Sequence, residues 1–318
     1  MEVFTWPKVD FLRSRTVKLS TLVLAVTALA APSYLVLASG QAHAVAYVFT
    51  DTGTSGFDIA TGINNAGQLT NYNNPYIPNA EHIETYGIND LGQTVGFYQT
   101  YHTHTVSGFI KTGENYTNFS VLGSTLTAIT GINNSGQIVG YYNDDIGTHG
   151  FTNRNGVVTT INGPKSNITY VYGINDLGQI VGSYIDDAGI GYHGFVSLED
   201  SFKTIEVPGS YGTFARDINN KGEIVGYFDN GLGYSSYVIS SDELSVIKAP
   251  SMILTAATGI NDIGQIVGWH ASYTTGNRGF TATPEATTPN VTAVPEPASL
   301  ALLGTGLLGA GLVRRKRA

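Results

Sequence analysis

An all-β chain, folded as a radial array of four-stranded sheets, is expected from three features: a repeated motif, strands apolar on both faces, and matched glycine turns. The motif GINDLGQIVGSY at residues 173–184 has near copies starting at Gly62, Gly87, Gly131, Asp217 and Gly259, with successive starts 25, 44, 42, 44 and 42 residues apart. A period of this size marks an array of supersecondary units, none of which buries its apolar faces alone. The repeats fill the chain from about residue 50 to 285, so one folded domain with a core shared between repeats is expected.

Within one repeat the residues write out four strands: TYVYGIN, GQIVGSYI, GYHGFVSL and FKTIEVP, from Thr169 onward. In the first turn, Asn175-Asp176-Leu177-Gly178 offers an Asx-type start and a glycine for the left-handed position of a three-residue hairpin loop. In the second strand of the previous repeat, Ile138 and Tyr142 point one way while Val139 and Tyr141 point the other. A strand apolar on both faces is covered on both sides. Gly140 between them, repeated as Gly96, Gly182, Gly226 and Gly268, permits close approach of a neighbouring backbone or ring. Four-stranded sheets stacked face to face by radial repetition make a β-propeller, whose blades have about this length.

The ends of the repeat region suggest how the ring closes. YVFTDTGTSGFDIATGINNAGQ (47–68) reads like the end of one repeat entering the next, while the last repeat reaches RGFTAT and has no fourth strand of its own. A strand near Tyr47–Asp51 is therefore predicted to close the last blade. That gives about six blades with the first reduced, because only about a dozen residues separate Tyr72 from Glu84. Five blades with an extra hairpin, or an open solenoid, are the alternatives.

Composition narrows the function classes. Cysteine is absent, which excludes disulfide frameworks, CxxC metal sites and thiol nucleophiles. Eight of the 16 Lys and Arg lie at the two ends, leaving eight basic residues against 21 acidic ones between residues 45 and 293, about −13. Phosphate binding needs a basic footprint, so a nucleic-acid partner is excluded. An acidic surface rich in Gly, Asn and Tyr suits an exported protein that meets sugars or cations.

Both ends read as addresses. Residues 1–18 are basic, Leu19 to Leu37 run apolar, and SGQAHA follows, so residues 1–44 are expected to form a secretory signal helix cleaved after Ala44. Ala42 and Ala44 flank His43 in the A-x-A site. After a linker at 286–293, the segment 294–318 carries Val294, Pro295, Glu296 and Pro297, an apolar run from Ala298 to Val313, and the basic block Arg314, Arg315, Lys316 and Arg317. As a helix, that run would reach about 24 Å, short of a roughly 30 Å hydrocarbon core, and would span with help from snorkelling arginines. The basic block would then stay cytoplasmic and hold the domain outside.

This three-part tail resembles the PEP-CTERM sorting signal of Gram-negative bacteria, also labelled the ice-binding protein C-terminal domain. The resemblance implies recognition of Pro295, Glu296 and Pro297 by an exosortase, removal of the tail, and delivery to the cell surface or exopolysaccharide matrix. The "ice-binding" label belongs to the tail of some family members, and no regular Thr-x-Thr ladder is present. The combination GIN-x-x-G-x-IVG with a following HGF, at His149-Gly150-Phe151 and His193-Gly194-Phe195, resembles the HAF family of extracellular repeats. That resemblance implies an extracellular setting and little defined biochemistry. The variants SGF (107–109), RGF (278–280) and SSY (235–237) weaken any role for the histidine but not the strand.

Candidate chemistry concentrates in the loops between second and third strands, where Asp144-Asp145, Asp186-Asp187 and Asp229-Asn230 stand in matching register. His102, His104 and His270 occupy the equivalent segments of other repeats. Such oxygens would suit Ca²⁺, although Asp and Asn also dominate loops for conformational reasons; no cofactor is otherwise expected. Asp217-Ile-Asn219-Asn220-Lys221-Gly222 fails as a calcium loop, with Lys221 at a ligand position and glycine in the sister repeats where Asp217 stands. No GxSxG, HExxH or Walker motif occurs, and no catalytic residue is nominated. The leading expectation is a non-enzymatic binding module for exopolysaccharide or another surface component. A polysaccharide-processing enzyme using rim carboxylates, or a purely structural matrix protein, stands beside it.

Overall fold

The computed structural model describes residues 34–36, 47–52, 59–71, 77–101, 103, 105–189, 191–198, 201–247, 249, 254–272 and 276–285. The chain divides into two compact parts, Met1–Pro32 and Ser33–Ala318, and every described residue belongs to the second. The described structure is all strand. In chain order the strands are β1 (Tyr34–Val36), β2 (Tyr47–Asp51), β3 (Ala60–Ile63), β4 (Leu69–Asn71), β5 (Ala80–Ile88), β6 (Thr94–Thr100), β7 (Val106–Thr112) and β8 (Asn115–Phe119). Then come β9 (Leu126–Ile132), β10 (Ile138–Asn143), β11 (Thr148–Arg154), β12 (Val157–Ile161), β13 (Ile168–Ile174), β14 (Ile180–Ile185), β15 (His193–Leu198) and β16 (Ser201–Glu206). The last are β17 (Gly212–Ile218), β18 (Ile224–Asp229), β19 (Tyr234–Ser240), β20 (Glu243–Ile247), β21 (Leu254–Ile260), β22 (Ile266–Ser272) and β23 (Gly276–Pro284).

These strands pair in a propeller-like pattern. Repeats 2 to 5 are antiparallel meanders of four strands, β5–β8, β9–β12, β13–β16 and β17–β20. Repeat 6 runs β21-β22-β23 and takes β2 as its fourth strand, with Tyr47 opposite Pro284 and Asp51 opposite Phe280. Repeat 1 has β3 and β4 among the described residues. Single parallel bridges, Val106 to Leu126 and Thr148 to Ile168, link neighbouring repeats into one longer sheet path.

The core lies between repeats. Ile138 and Tyr142 pack with Val95 of repeat 2, whereas Val139 packs with Val171, Ile180 and Phe195 of repeat 4. The same division puts Val181 against Ala215 and Tyr237, and Val225 against Ala257 and Phe280. The aromatic residue of the third strand, whether preceded by His, Ser or Arg, is fully buried: Phe109, Phe151, Phe195, Tyr237 and Phe280 all have no exposed surface.

The innermost strand of each repeat carries a bulge beside its first motif residue, as between Val171 and Gly173 or Ala215 and Asp217. The extra residue pushes the inner strand toward the second strand. A Cβ on Gly182 would then lie 2.0 Å from the Tyr170 carbonyl oxygen, and one on Gly140 would lie 2.0 Å from that of Ala128. The recurrent strand glycine has this close approach as its cause.

The leader and tail helices expected from sequence fall largely outside the described residues, as do Ala42, Ala44, Val294, Pro295, Glu296, Pro297, Arg314, Arg315, Lys316, Arg317, His102 and His104. Three leader residues are described: Tyr34–Val36 form β1, parallel to β16. Pro32 cannot continue a helix, and Tyr-Leu-Val suits an extended edge. Among the described residues no helix is long and apolar enough to cross a membrane.

Candidate functional site

The six GIN turns converge on the axis of the ring. In each, the asparagine N–H bonds the carbonyl four residues on, and the glycine N–H returns to the asparagine carbonyl, as in Asn175 with Gln179 and Gly178 (3.1 Å each). The asparagine side chain completes the turn. Its Oδ1 accepts the N–H groups two and four residues later; at Asn175 these are Leu177 (3.1 Å) and Gln179 (3.0 Å).

The amide nitrogen of the same residue does a second job. Nδ2 of Asn64 donates to the Asn89 carbonyl (3.0 Å), Asn89 to Asn133 (3.1 Å), Asn133 to Asn175 (3.1 Å), Asn175 to Asn219 (3.0 Å), Asn219 to Asn261 (3.0 Å) and Asn261 back to Asn64 (3.1 Å). The circle is closed, so the array is not an open solenoid. Each Nδ2 also reaches its own repeat's Gln or Glu, so both hydrogens of each of these buried amides are used.

A second, outer circle is made by the next residue of each motif: Asn65, Asp90, Asn134, Asp176, Asn220 and Asp262. Each backbone N–H donates to the Oδ1 of the following member at 2.7 to 2.8 Å, through Asp262 to Asn65. Each asparagine amide donates its two hydrogens to the Oδ2 atoms of both flanking aspartates at 2.8 to 2.9 Å. Three amides supply six N–H bonds and three carboxylates accept six, a balance that only an alternating ring with an even number of members satisfies. Burial alone would raise the Asp90 carboxyl, but the Asn65 N–H and the amides of Asn134 and Asn65 outweigh it and hold it below the ordinary value. That contribution to stability is present above the ordinary carboxylate range and is lost as pH falls through the lowered value. The signal for this ring was available in the sequence as the alternation GINN, GIND, GINN, GIND, DINN, GIND. It carries no meaning until the turns are known to meet.

Against the ring lies a partly open cavity of about 100 Å³, walled by the inner edges of the first strands and by the ring residues. The residue before each motif glycine is Thr61, Tyr86, Thr130, Tyr172 or Thr258 in five repeats; repeat 5 has Arg216 followed by Asp217 in place of glycine. The Arg216 guanidinium stands 4.0 Å over the Tyr172 ring, a cation–π contact. Asp217 accepts the Ile218 N–H through Oδ1 and the Ile260 N–H through Oδ2, both at 2.9 Å, and so ties the inner strands of repeats 5 and 6. Burial raises its carboxyl to about 7, against the opposing effect of these two bonds and of Arg216.

Because the folded state holds this proton more tightly than the unfolded chain, Asp217's contribution to stability is fully present below about pH 4 and is lost as pH rises through about 7. Replacing it with the glycine of the other repeats should remove this dependence. Thermal melts of the parent and of Asp217→Gly are expected to diverge across that window, by up to roughly 4 kcal/mol at about 1.4 kcal/mol per pKa unit. Parallel curves would show that Asp217 is not the source.

The opposite face of the disc, where second strands hand over to third, carries an aromatic band. Its rings run Tyr141 to Tyr170 (4.9 Å between centroids), Tyr170 to Tyr192 (6.5 Å), Tyr192 to Phe214 (4.8 Å), Phe214 to Tyr227 (4.9 Å), Tyr227 to Tyr234 (5.1 Å) and Tyr234 to Trp269 (6.4 Å). The band crosses repeats 3 to 6, and each ring is partly exposed. Desolvation, then neighbouring phenols, push the Tyr192 and Tyr234 hydroxyls up, so the rings stay neutral. A cleft of about 670 Å³ beside Tyr234 is lined by Tyr211, Asp229, Leu232 and Leu254. The band was not foreseen as a unit, because its members come from three strand positions and one loop.

The acidic loops lie on this same face but are not brought together. Asp144 Oδ1 accepts the N–H groups of Ile146 (2.8 Å) and Gly147 (3.1 Å), which with His149 hold its carboxyl below the ordinary value. Asp186 caps Ala188, Asp229 caps Gly231, and Asn230 caps Leu232, while Asp145 and Asp187 are exposed. Turn geometry accounts for these residues, and among the described residues no three His, Asp or Glu converge to hold a metal. His149 is buried against Tyr142 with Asn162 and Asp144 on its two nitrogens, and His193 bonds Glu206. His270 is buried and its Nε2 lies 2.9 Å from Asp51 of β2, helping to hold the closing strand.

Residues 293–317 match the PEP-CTERM protein-sorting motif. The motif implies exosortase recognition, and with it export and a membrane-anchored stage before processing. No curated protein matches the chain. Among solved structures, the β-propeller domain of the Trilobed protease from Pyrococcus furiosus, described as having an open velcro topology, is 10% identical, covering 67% of this chain and 82% of that one at a TM-score of 0.38. An acylaminoacyl peptidase is 9% identical, covering 68% of this chain and 38% of that one at a TM-score of 0.42. The propeller-like arrangement itself rests on the strand pairing and ring closure described above.

Proposed function

We propose that the folded domain is a six-bladed propeller, its first blade reduced and its last closed by β2, that serves as a non-enzymatic binding module for extracellular polysaccharide after sorting to the cell surface or matrix. The observation that carries this reading is the continuous aromatic band. Sugar rings present apolar faces that stack on aromatic side chains, and seven partly exposed rings in sequence offer such surface. The acidic character of the domain favours a neutral glycan over an acidic one. The extracellular setting implied by the resemblance to HAF repeats agrees with it.

The enzymatic alternative would need two carboxylates flanking a space that a sugar occupies. Asp217 has the raised carboxyl a general acid needs, but both its oxygens are engaged, and the cavity beside it, about 100 Å³, is well below the roughly 300–1,000 Å³ of a ligand pocket. Binding is therefore preferred. Co-sedimentation of the processed domain with its host's exopolysaccharide tests this. Retention should fall about tenfold in Tyr192→Ala and in Trp269→Ala, the loss expected of an aromatic anchor at a binding surface. Retention abolished by EDTA would assign a cation to the acidic loops, and no retention in the parent protein would leave the structural-matrix reading.

A further inference from the structure

Both ends of the folded ring leave from one face. Third strands run toward the GIN-turn face, so β23 delivers Pro284 there, with its ring 3.3 Å from the position a Cβ would take on Gly264. Tyr47, the first residue of β2, pairs with Pro284 and stands beside it. Seven residues, 286–292, separate Glu285 from the sorting motif. Fully extended, they reach at most about 25 Å, close to the height of the disc, since a seven-residue strand is about 23 Å long.

The same face has an unusual surface. Each ring aspartate is followed by a large aliphatic residue that stands free: Leu91 is 70%, Leu177 65% and Ile263 62% exposed. The asparagine members are followed instead by Ala66, Ser135 and Lys221. Three aliphatic side chains thus alternate around the axis, on the face from which the anchoring segment departs.

We propose that, until the tail is removed, the domain stands on the membrane by its GIN-turn face, with Leu91, Leu177 and Ile263 turned toward the bilayer and the aromatic band turned outward. The orientation rests on the sorting tail and not on the identity of any ligand. It makes the band accessible while the protein is still tethered, so ligand capture does not wait for processing.

The absence of cysteine makes the test clean, because a single introduced thiol takes a single label. The chain from Val45 onward, without its leader and with its tail, would be reconstituted into phosphatidylethanolamine–phosphatidylglycerol vesicles carrying a headgroup acceptor dye, with donors at Leu91→Cys, Leu177→Cys or Ile263→Cys on one face. The opposite face is labelled at Leu122→Cys, Ile146→Cys or Leu232→Cys, all exposed loop positions. Energy transfer is expected to be at least about twofold greater from the first set, given the height of the disc. Removal of the tail should abolish it from both. Equal transfer, or greater transfer from the loop face, overturns the proposal. Transfer that survives tail removal also overturns it, because adsorption of the domain and not tethering would then set the orientation. Polysaccharide co-sedimentation has no part in this readout, so failure of the ligand assignment leaves it untouched.

Discussion

Asn175→Ala is expected to destabilise the domain by about 3–5 kcal/mol, the range of a broken buried network. The side chain makes four hydrogen bonds at once: it accepts from Leu177 and Gln179, and donates to Gln179 Oε1 and to the Asn219 carbonyl of the next repeat. Truncation leaves the buried Asn219 carbonyl and the part-buried groups of Leu177 and Gln179 without their partner, and it cuts a circle that closes through Asn261 and Asn64. At about 2–4 °C per kcal/mol for a domain of this size, the midpoint of thermal unfolding should fall by about 10 °C or more. Asn175→Asp should be at least as damaging, because it keeps the acceptor but replaces both donors by a charge facing two oxygens. The outer ring supplies the contrast. Asn65 is exposed, so Asn65→Ala should cost only about 1 kcal/mol. Equal losses at the two positions would mean that the inner circle is not what holds the repeats together.

Two glycines of the same repeat should fail for different reasons and by different amounts. In Gly182→Ala, the new methyl would meet the Tyr170 carbonyl oxygen at 2.0 Å and the Phe195 ring at 2.6 Å, one of them backbone and the other locked in the core. Neither can yield without moving the bulged strand, so a loss of about 3 kcal/mol or more is expected. Gly178 instead has φ +80° with only the end of a Gln137 side chain at 4.0 Å. Gly178→Ala meets no collision and should cost about 1–2 kcal/mol, the left-handed penalty alone. Denaturant titration of both variants separates these figures; a larger loss at Gly178 would place the constraint in the turn and not in the strand crossing.

Much of the fold was legible because its determinants are local or strictly periodic. The Asn-x-x-Gly turn closes on itself within five residues, the alternation of Ile138, Val139, Tyr141 and Tyr142 states which face each covers, and the incomplete last repeat points to a strand from the other end. The tail is legible for the same reason, as three contiguous blocks in one order that match the sorting motif. The acidic loops stayed ambiguous in the sequence because Asp and Asn at a turn look alike whether they bind a cation or cap a backbone; the structure shows the backbone bonds that Asp144, Asp186, Asp229 and Asn230 accept.

What the tertiary structure alone decided are the features whose partners lie one repeat or more away. The alternation of Asn and Asp at the fourth motif position is plain in the letters, yet it becomes a balanced ring only when six turns meet on one axis and Asp262 reaches Asn65, 197 residues distant. Arg216 and Asp217 read as a lapse in the repeat until the strands converge and place them in the axial cavity beside Tyr172. The aromatic band exists only where neighbouring repeats set their rings about 5 Å apart. Short-range hydrogen bonding and side-chain period are encoded residue by residue, whereas a site on the axis of a closed ring is a property of the closure.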